Sequence, residues 1–171
     1  MNLRKFQRGF SLIEVLVALL VFSFGLLGFA GMLVVSVKTN HTAYLRSQAS
    51  FLAQSLSDRM RANVPAVWSD AYNASYPVAD TNPCVDPATN CSRVDVATKD
   101  RAEWSMQLSD LLPNANATVA CTAASTFSAA EKAMGAPYTG LCMLTIRWSE
   151  ASLNAGAAGP NAQSMAWNFQ P

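Results

Sequence analysis

The chain of 171 residues contains a single histidine and carries charge on only 13% of its positions. His41 alone cannot build a zinc site, and the four cysteines include no Cys-x-x-Cys pair. No Gly-rich phosphate loop, nucleophile elbow or metal constellation is present. His41, beside Asn40 and Thr42, reads as a surface helix residue rather than a general base. The expectation is a protein that is not an enzyme and that uses no cofactor or metal. Asp80, Asp86, Asn90 and Asp95 offer oxygens to calcium, but the EF-hand spacing and its loop glycine are missing. An excess of one charge is lacking too. The net charge is +1, and without residues 1–9 nine Lys and Arg stand against eleven Asp and Glu, a net −2. A weakly acidic chain without a basic stripe is not expected to bind nucleic acid. Finally, no proline occurs before Pro65, so nothing of that kind interrupts a helix in the first third.

What is present is concentrated at the start. Arg4, Lys5 and Arg8 precede Gly9, and an apolar run follows from Phe10 to Val37 with one charge, Glu14. Residues 15–37 carry no charge and exceed the roughly 20 needed to cross a bilayer. The positive flank is expected to stay in the cytoplasm, with the following domain outside. In an ordinary signal peptide the cleavage site follows the apolar stretch; here the polar break comes before it. A carboxylate at the edge of such a segment is costly unless paired, and marks a functional position by default.

The basic leader, Gly9, Phe10 and then Ser11-Leu12-Ile13-Glu14-Val15-Leu16-Val17-Ala18-Leu19-Leu20 resemble the type IV prepilin family. That resemblance implies a prepilin peptidase that cuts between Gly9 and Phe10 and methylates the new amino terminus at Phe10. It maps the family's glutamate onto Glu14. Cleavage creates an α-amino group, largely protonated at neutral pH. A neighbouring subunit could present that cation to Glu14, and the cost of leaving the carboxylate unpaired would set register during assembly. Ser11-x-x-Glu14 is also a capping-box pattern, in which Glu14 finishes the helix start, and the two roles are compatible. Gly25, Gly28 and Gly31 lie along one stripe and suit close helix packing, although glycine is common in membrane helices anyway.

Helical pattern continues past Lys38. Leu45, Ala49, Leu52, Leu56 and Met60 recur at spacings of four, three, four and four, so they share one face. A helix from about Phe10 to Asn63 is expected, its lower half covered by the C-terminal domain. Asp58 and Arg61 form an i, i+3 pair on its surface. The stretches Ala43-Tyr44-Leu45-Arg46-Ser47-Gln48-Ala49 and Asp58-Arg59-Met60-Arg61-Ala62-Asn63 are similar to the PilV type of minor pilin, the type IV pilus modification proteins.

Residues 64–98, with Pro65, Pro77, Pro83 and Pro87, read as loop. Trp68, Tyr72 and Tyr76, at i, i+4 and i+8, predict a helical turn or two within it. Asp100-x-x-Glu103 reads as a capping box before a short helix carrying Trp104, Leu108, Leu111 and Leu112 and ended by Pro113. Residues 117–122 form a candidate strand, and Ser128-x-x-Glu131 a second cap. Residues 141–148 alternate, with Cys142, Leu144, Ile146 and Trp148 on one face. In residues 164–169, Met165, Trp167 and Phe169 do the same. Residues 151–162 read as the flexible loop of this hairpin. Four cysteines behind a membrane segment suggest two disulfides in an oxidising compartment. Three pairings are possible, and sequence proximity favours Cys84–Cys91 and Cys121–Cys142.

The expected fold is α+β, a type IV pilin-like ladle with a long N-terminal helix packed against a small antiparallel sheet. Its parts are a leader at 1–9, a membrane-spanning half-helix at 10–37, a periplasmic amphipathic half at 38–63 and a globular domain at 64–171. The expected role is that of a minor pilin in pilus initiation or modification, twitching motility and adhesion. Its expected partners are the peptidase, other minor pilins and the major pilin. The inner membrane would hold it before it joins the fibre. A minor pseudopilin of type II secretion, or a membrane-anchored periplasmic binding module, are the alternatives.

Overall fold

The computed structural model describes residues 9–79, 81, 84, 90–124, 127–150 and 161–171. The leader bases, Asp80, Asp86, Pro83, Pro87 and all but the end of the expected hairpin loop lie outside these. The chain divides into two compact units, one ending at Ala43 and one from Tyr44 to Pro171.

Helix α1 runs from Leu12 to Ala62, 51 residues, roughly 76 Å at 1.5 Å per residue. Its sequence has no proline, and it stops where Asn63 leaves helical geometry and α2 starts with Pro65 in its first turn. Every residue from Gly9 to Val37 is exposed. In the second unit, the face spaced by threes and fours is buried as the periodicity predicts: Leu45, Ala49, Leu52, Leu56 and Met60, joined by Ala53 and Ser57. A short helix, α2 (Val64–Trp68), follows, and β1 (Ala74–Tyr76) lies close behind it.

Helix α3 (Arg93–Leu111) corrects the sequence reading in both position and cap. Its N-cap is Ser92, whose hydroxyl accepts from the Asp95 N–H at 3.1 Å while the Asp95 carboxylate accepts from the Ser92 N–H at 3.0 Å. Asp100 and Glu103 therefore lie inside the helix and cap nothing. The expected faces survive the correction: Trp104, Leu108 and Leu112 are buried. Trp68, Tyr72 and Tyr76 do not share a helix. Trp68 ends α2, Tyr72 follows a turn in which Asp70 takes φ +56°, and Tyr76 is in β1. Tyr72 and Tyr76 are nonetheless core residues.

Strand β2 (Asn116–Thr122), helix α4 (Ala129–Ala133), strand β3 (Leu141–Glu150) and strand β4 (Asn161–Phe169) complete the domain. Ser128 and Glu131 form the expected capping box of α4. The strands make one antiparallel sheet in the order β1-β2-β3-β4. Cys142, Leu144, Ile146 and Trp148 are all buried, as the alternation of β3 requires. Strand β4 begins at Asn161 rather than Ser164, and its apolar alternation is only half realised. Phe169 is buried and Met165 partly so, but Trp167 is 38% exposed because β4 is the sheet edge. Gly140, just before β3, has no room for a side chain: a Cβ there would meet the Thr122 carbonyl oxygen and the Tyr138 ring. The architecture is thus α+β and pilin-like, a long N-terminal helix followed by a small four-stranded antiparallel sheet.

The core of the second unit joins the α1 face to α3 and one side of the sheet. The Trp104 indole N–H donates to the Leu52 carbonyl at 2.9 Å, so a residue of α3 fixes itself to the backbone of α1. Disulfides link Cys84 to Cys91 and Cys121 to Cys142, the second pair directly opposite each other across β2 and β3 with Cα atoms 4.0 Å apart.

Candidate assembly site

Gly9 and Phe10 precede α1 in non-helical conformation, and Phe10 is 84% exposed. The helix opens at Ser11, whose carbonyl accepts from the N–H of Glu14 at 3.1 Å and of Val15 at 3.3 Å. Unlike Ser92 and Ser128, Ser11 does not exchange side-chain hydrogen bonds with the acidic residue three places on. Glu14 is therefore not committed to a capping box, although a carboxylate in the first turn still suits the positive end of the helix dipole.

Around Glu14 the helix surface is apolar. One shallow groove beside it is lined by Ile13, Val17, Ala18 and Val21, and another by Phe10, Val15, Ala18 and Leu19; Phe22 borders both. Among the described residues Glu14 has no ion-pair partner. Other polar side chains of this half of α1 satisfy themselves locally. The Ser23 hydroxyl donates to the Leu19 carbonyl at 2.7 Å, and Thr39 to the Val35 carbonyl at 3.0 Å, a common provision for hydroxyls in lipid-facing helices. A carboxylate has no such outlet. The segment's mean hydropathy reaches 2.5 over 18 residues, with none of that window buried. By length and composition it can cross a membrane, and an apolar surface this extensive calls for lipid or other helices around it. Gly25, Gly28 and Gly31 have open space where a Cβ would lie.

A second cluster lies within the domain. Nη1 of Arg59 donates to Asp100 and Glu103, each at 2.9 Å, and Tyr72 donates to the other Asp100 oxygen at 2.7 Å. Asn63 donates to the Arg93 carbonyl at 2.8 Å. Burial works against the charge of Arg59, but its bonds to Glu103 and Asp100 outweigh this and raise its pKa. Burial, reinforced by Asp100, holds the Tyr72 phenol far above the ordinary tyrosine range, and burial pushes Tyr76 up to about 12 against the pull of Arg101. These are partly buried ties between α1 and α3, joined by Tyr72 from the turn before β1. Among the described residues no three His, Cys, Asp or Glu side chains are grouped to hold a metal. Sequence inspection missed this cluster because its partners stand some forty residues apart. It treated Asp58 and Arg61, which do pair at 3.3 Å on the exposed surface, as the notable charges of this turn. His41 is exposed on α1.

No curated protein and no solved structure matches the chain. Residues 4–30 do match the family model of the prokaryotic N-terminal methylation motif, the segment that holds Gly9, Phe10 and Glu14. That motif, on an exposed apolar helix followed by an antiparallel sheet, supports a type IV pilin-like protein in the broad sense that includes pseudopilins, a generally structural and non-enzymatic class suited to an inner-membrane anchor.

Proposed function

We propose that the chain is a minor pilin, a structural component that initiates or modifies a type IV pilus and so bears on twitching motility and adhesion. The observation that carries this reading is Glu14, which has no ion-pair partner among the described residues and lies in the methylation motif four residues after Phe10, on an exposed and otherwise apolar stretch of helix. A prepilin peptidase cuts between Gly9 and Phe10 and methylates Phe10. Until assembly, residues 10–37 hold the protein in the inner membrane with residues 64–171 in the periplasm, where both disulfides form. In the fibre the apolar helix packs among those of other minor pilins and the major pilin. Glu14 there meets the Phe10 amine of a neighbour, a pairing that favours one axial register because the alternatives bury an uncompensated charge. Pseudopilins of type II secretion share the motif, and the resemblance of residues 43–63 to PilV-type proteins favours the pilus.

Two experiments test this. Gly9→Val should leave the leader attached, read by N-terminal mass spectrometry; a mature protein unchanged in mass would remove the prepilin assignment. Deletion of the gene should reduce surface piliation while leaving protein secretion intact, and the opposite pattern would transfer the protein to a secretion system.

A further inference from the structure

We propose that Lys38 and His41 form a binding site for the phosphate of an anionic lipid in the periplasmic leaflet of the inner membrane. The proposal rests on the membrane-anchored reading above. Both residues follow directly on the charge-free run that ends at Val37. They stand on α1 at i and i+3, so they are neighbours on its surface. His41 is exposed and Lys38 half-buried. Neither has an ion-pair partner among the described residues, and no Asp or Glu occurs in the sequence between Glu14 and Asp58. This stretch of helix therefore supplies no counter-charge to the Lys38 ammonium.

The depth of the two residues selects the partner. From Glu14 to Lys38 the helix rises roughly 36 Å, against about 30 Å for the hydrocarbon of a bilayer. With Glu14 at one boundary, Lys38 and His41 stand at the level of the opposite headgroups, where phosphate oxygens are the acceptors at hand. A lysine ammonium is a compact point charge with three donors, and an imidazole keeps at least one N–H in either protonation state. Together they suit a phosphate diester, which offers one negative charge and several acceptor oxygens.

A carboxylate of another protein is the rival partner, and two observations favour lipid. Every residue from Gly9 to Val37 is exposed, so the apolar surface that leads up to the pair is one that lipid covers. The orientation of the chain is already set by Arg4, Lys5 and Arg8 on the other side, and a base at the periplasmic boundary works against that asymmetry. Lys38 is thus accounted for by what it binds there rather than by topology. The site also gives the anchor a depth stop. A slide of more than a turn, about 5.4 Å, towards the cytoplasm draws Lys38 into hydrocarbon, and a slide the other way draws Glu14 in.

The probe is phosphatidylglycerol. The full chain, isotope-labelled at its lysine side chains, is reconstituted in vesicles of that lipid, and the coupling of each ammonium nitrogen to lipid phosphorus is read as dephasing in solid-state NMR. The Lys38 signal, identified by its loss in Lys38→Arg, should fall by about half. His41→Leu should weaken this dephasing about twofold, and His41→Gln, which keeps a donor, should restore most of it. Phosphatidylcholine vesicles should give less, and equal dephasing there would overturn the preference for anionic lipid and with it the proposal. A Lys38 signal that is not dephased, in chain that resists carbonate washing of the vesicles, overturns the proposal and leaves the anchor standing. Chain removed by the wash overturns the anchor reading and the proposal together.

Discussion

Arg59 lies within a turn of the end of α1, yet its guanidinium faces inward to α3 rather than outward like that of Arg61. Its side chain is 24% exposed and that of Asp100 17%, which puts their contact in a different class from the Asp58–Arg61 pair at 60% and 50%. Exposed pairs contribute little, whereas a hydrogen bond to a half-buried charge is worth about 2 kcal/mol. Arg59→Leu is therefore expected to lower the unfolding free energy by roughly that amount, because Asp100 would lose its cation and Glu103 would keep only its 3.8 Å contact with Lys99. Arg61→Leu should change it by less than about 0.5 kcal/mol. Urea denaturation of the two variants makes the comparison, and equal losses would mean that the inward-facing network contributes no more than a surface pair.

At the scale of the element, α3 shows what local pattern can and cannot convey. The face of α1 from Leu45 to Met60 and the alternation of β3 are strict repeats over ten or more residues, and both could be read directly. The start of α3 could not. Its cap places Asp rather than Glu or Gln at the third helical position, and it stands behind a run of prolines that argues for loop. Asp100 and Glu103 imitate a cap because Arg59, far away in sequence, holds carboxylates at that spacing. The aromatic spacing from Trp68 to Tyr76 misled in another way, since the end of α2, a turn residue and a residue of β1 fell on a helical period by accident. At the candidate site, Gly9, Phe10 and Glu14 stand out in the sequence because they fall within six residues and the lone charge is chemically out of place; the roles given to them are those proposed above. The exposure of Trp167 at the β4 edge could not be read, because it follows from strand order. The cap carries its own test. Ser92 bonds hold the Asp95 carboxyl below the usual range. Such a depressed group adds stability above its unfolded-state pKa, which is lost as pH falls through the folded value. Ser92→Ala should cost about 1 kcal/mol near neutral pH and return the Asp95 titration towards the ordinary carboxylate value, followed by NMR. A titration that does not move would assign the depression to something other than the cap.

For the whole molecule, the N-terminal unit exposes every residue from Gly9 to Val37, and the second unit has its own core. That division predicts separable effects. Glu14→Ala should leave the domain's thermal unfolding unchanged but cut co-purification with other pilins several-fold. Full recovery of the complex would reduce Glu14 to a helix-start residue. Changes in the domain core should do the reverse.

The attachment of α1 to the rest of its domain has a mechanical consequence. Between Ser50 and Arg61 the helix is held laterally: Trp104 to the Leu52 carbonyl, Arg59 to Asp100 and Glu103, and Arg61 to the Gln170 carbonyl. Tension applied along the helix from its N-terminal end loads these ties in shear rather than in sequence. Should they fail, the Cys121–Cys142 bridge keeps 21 residues of chain, about 70 Å of extended length, from paying out. When such a domain gives, the segment between Cys121 and Cys142 stays closed while the chain outside the bridge extends.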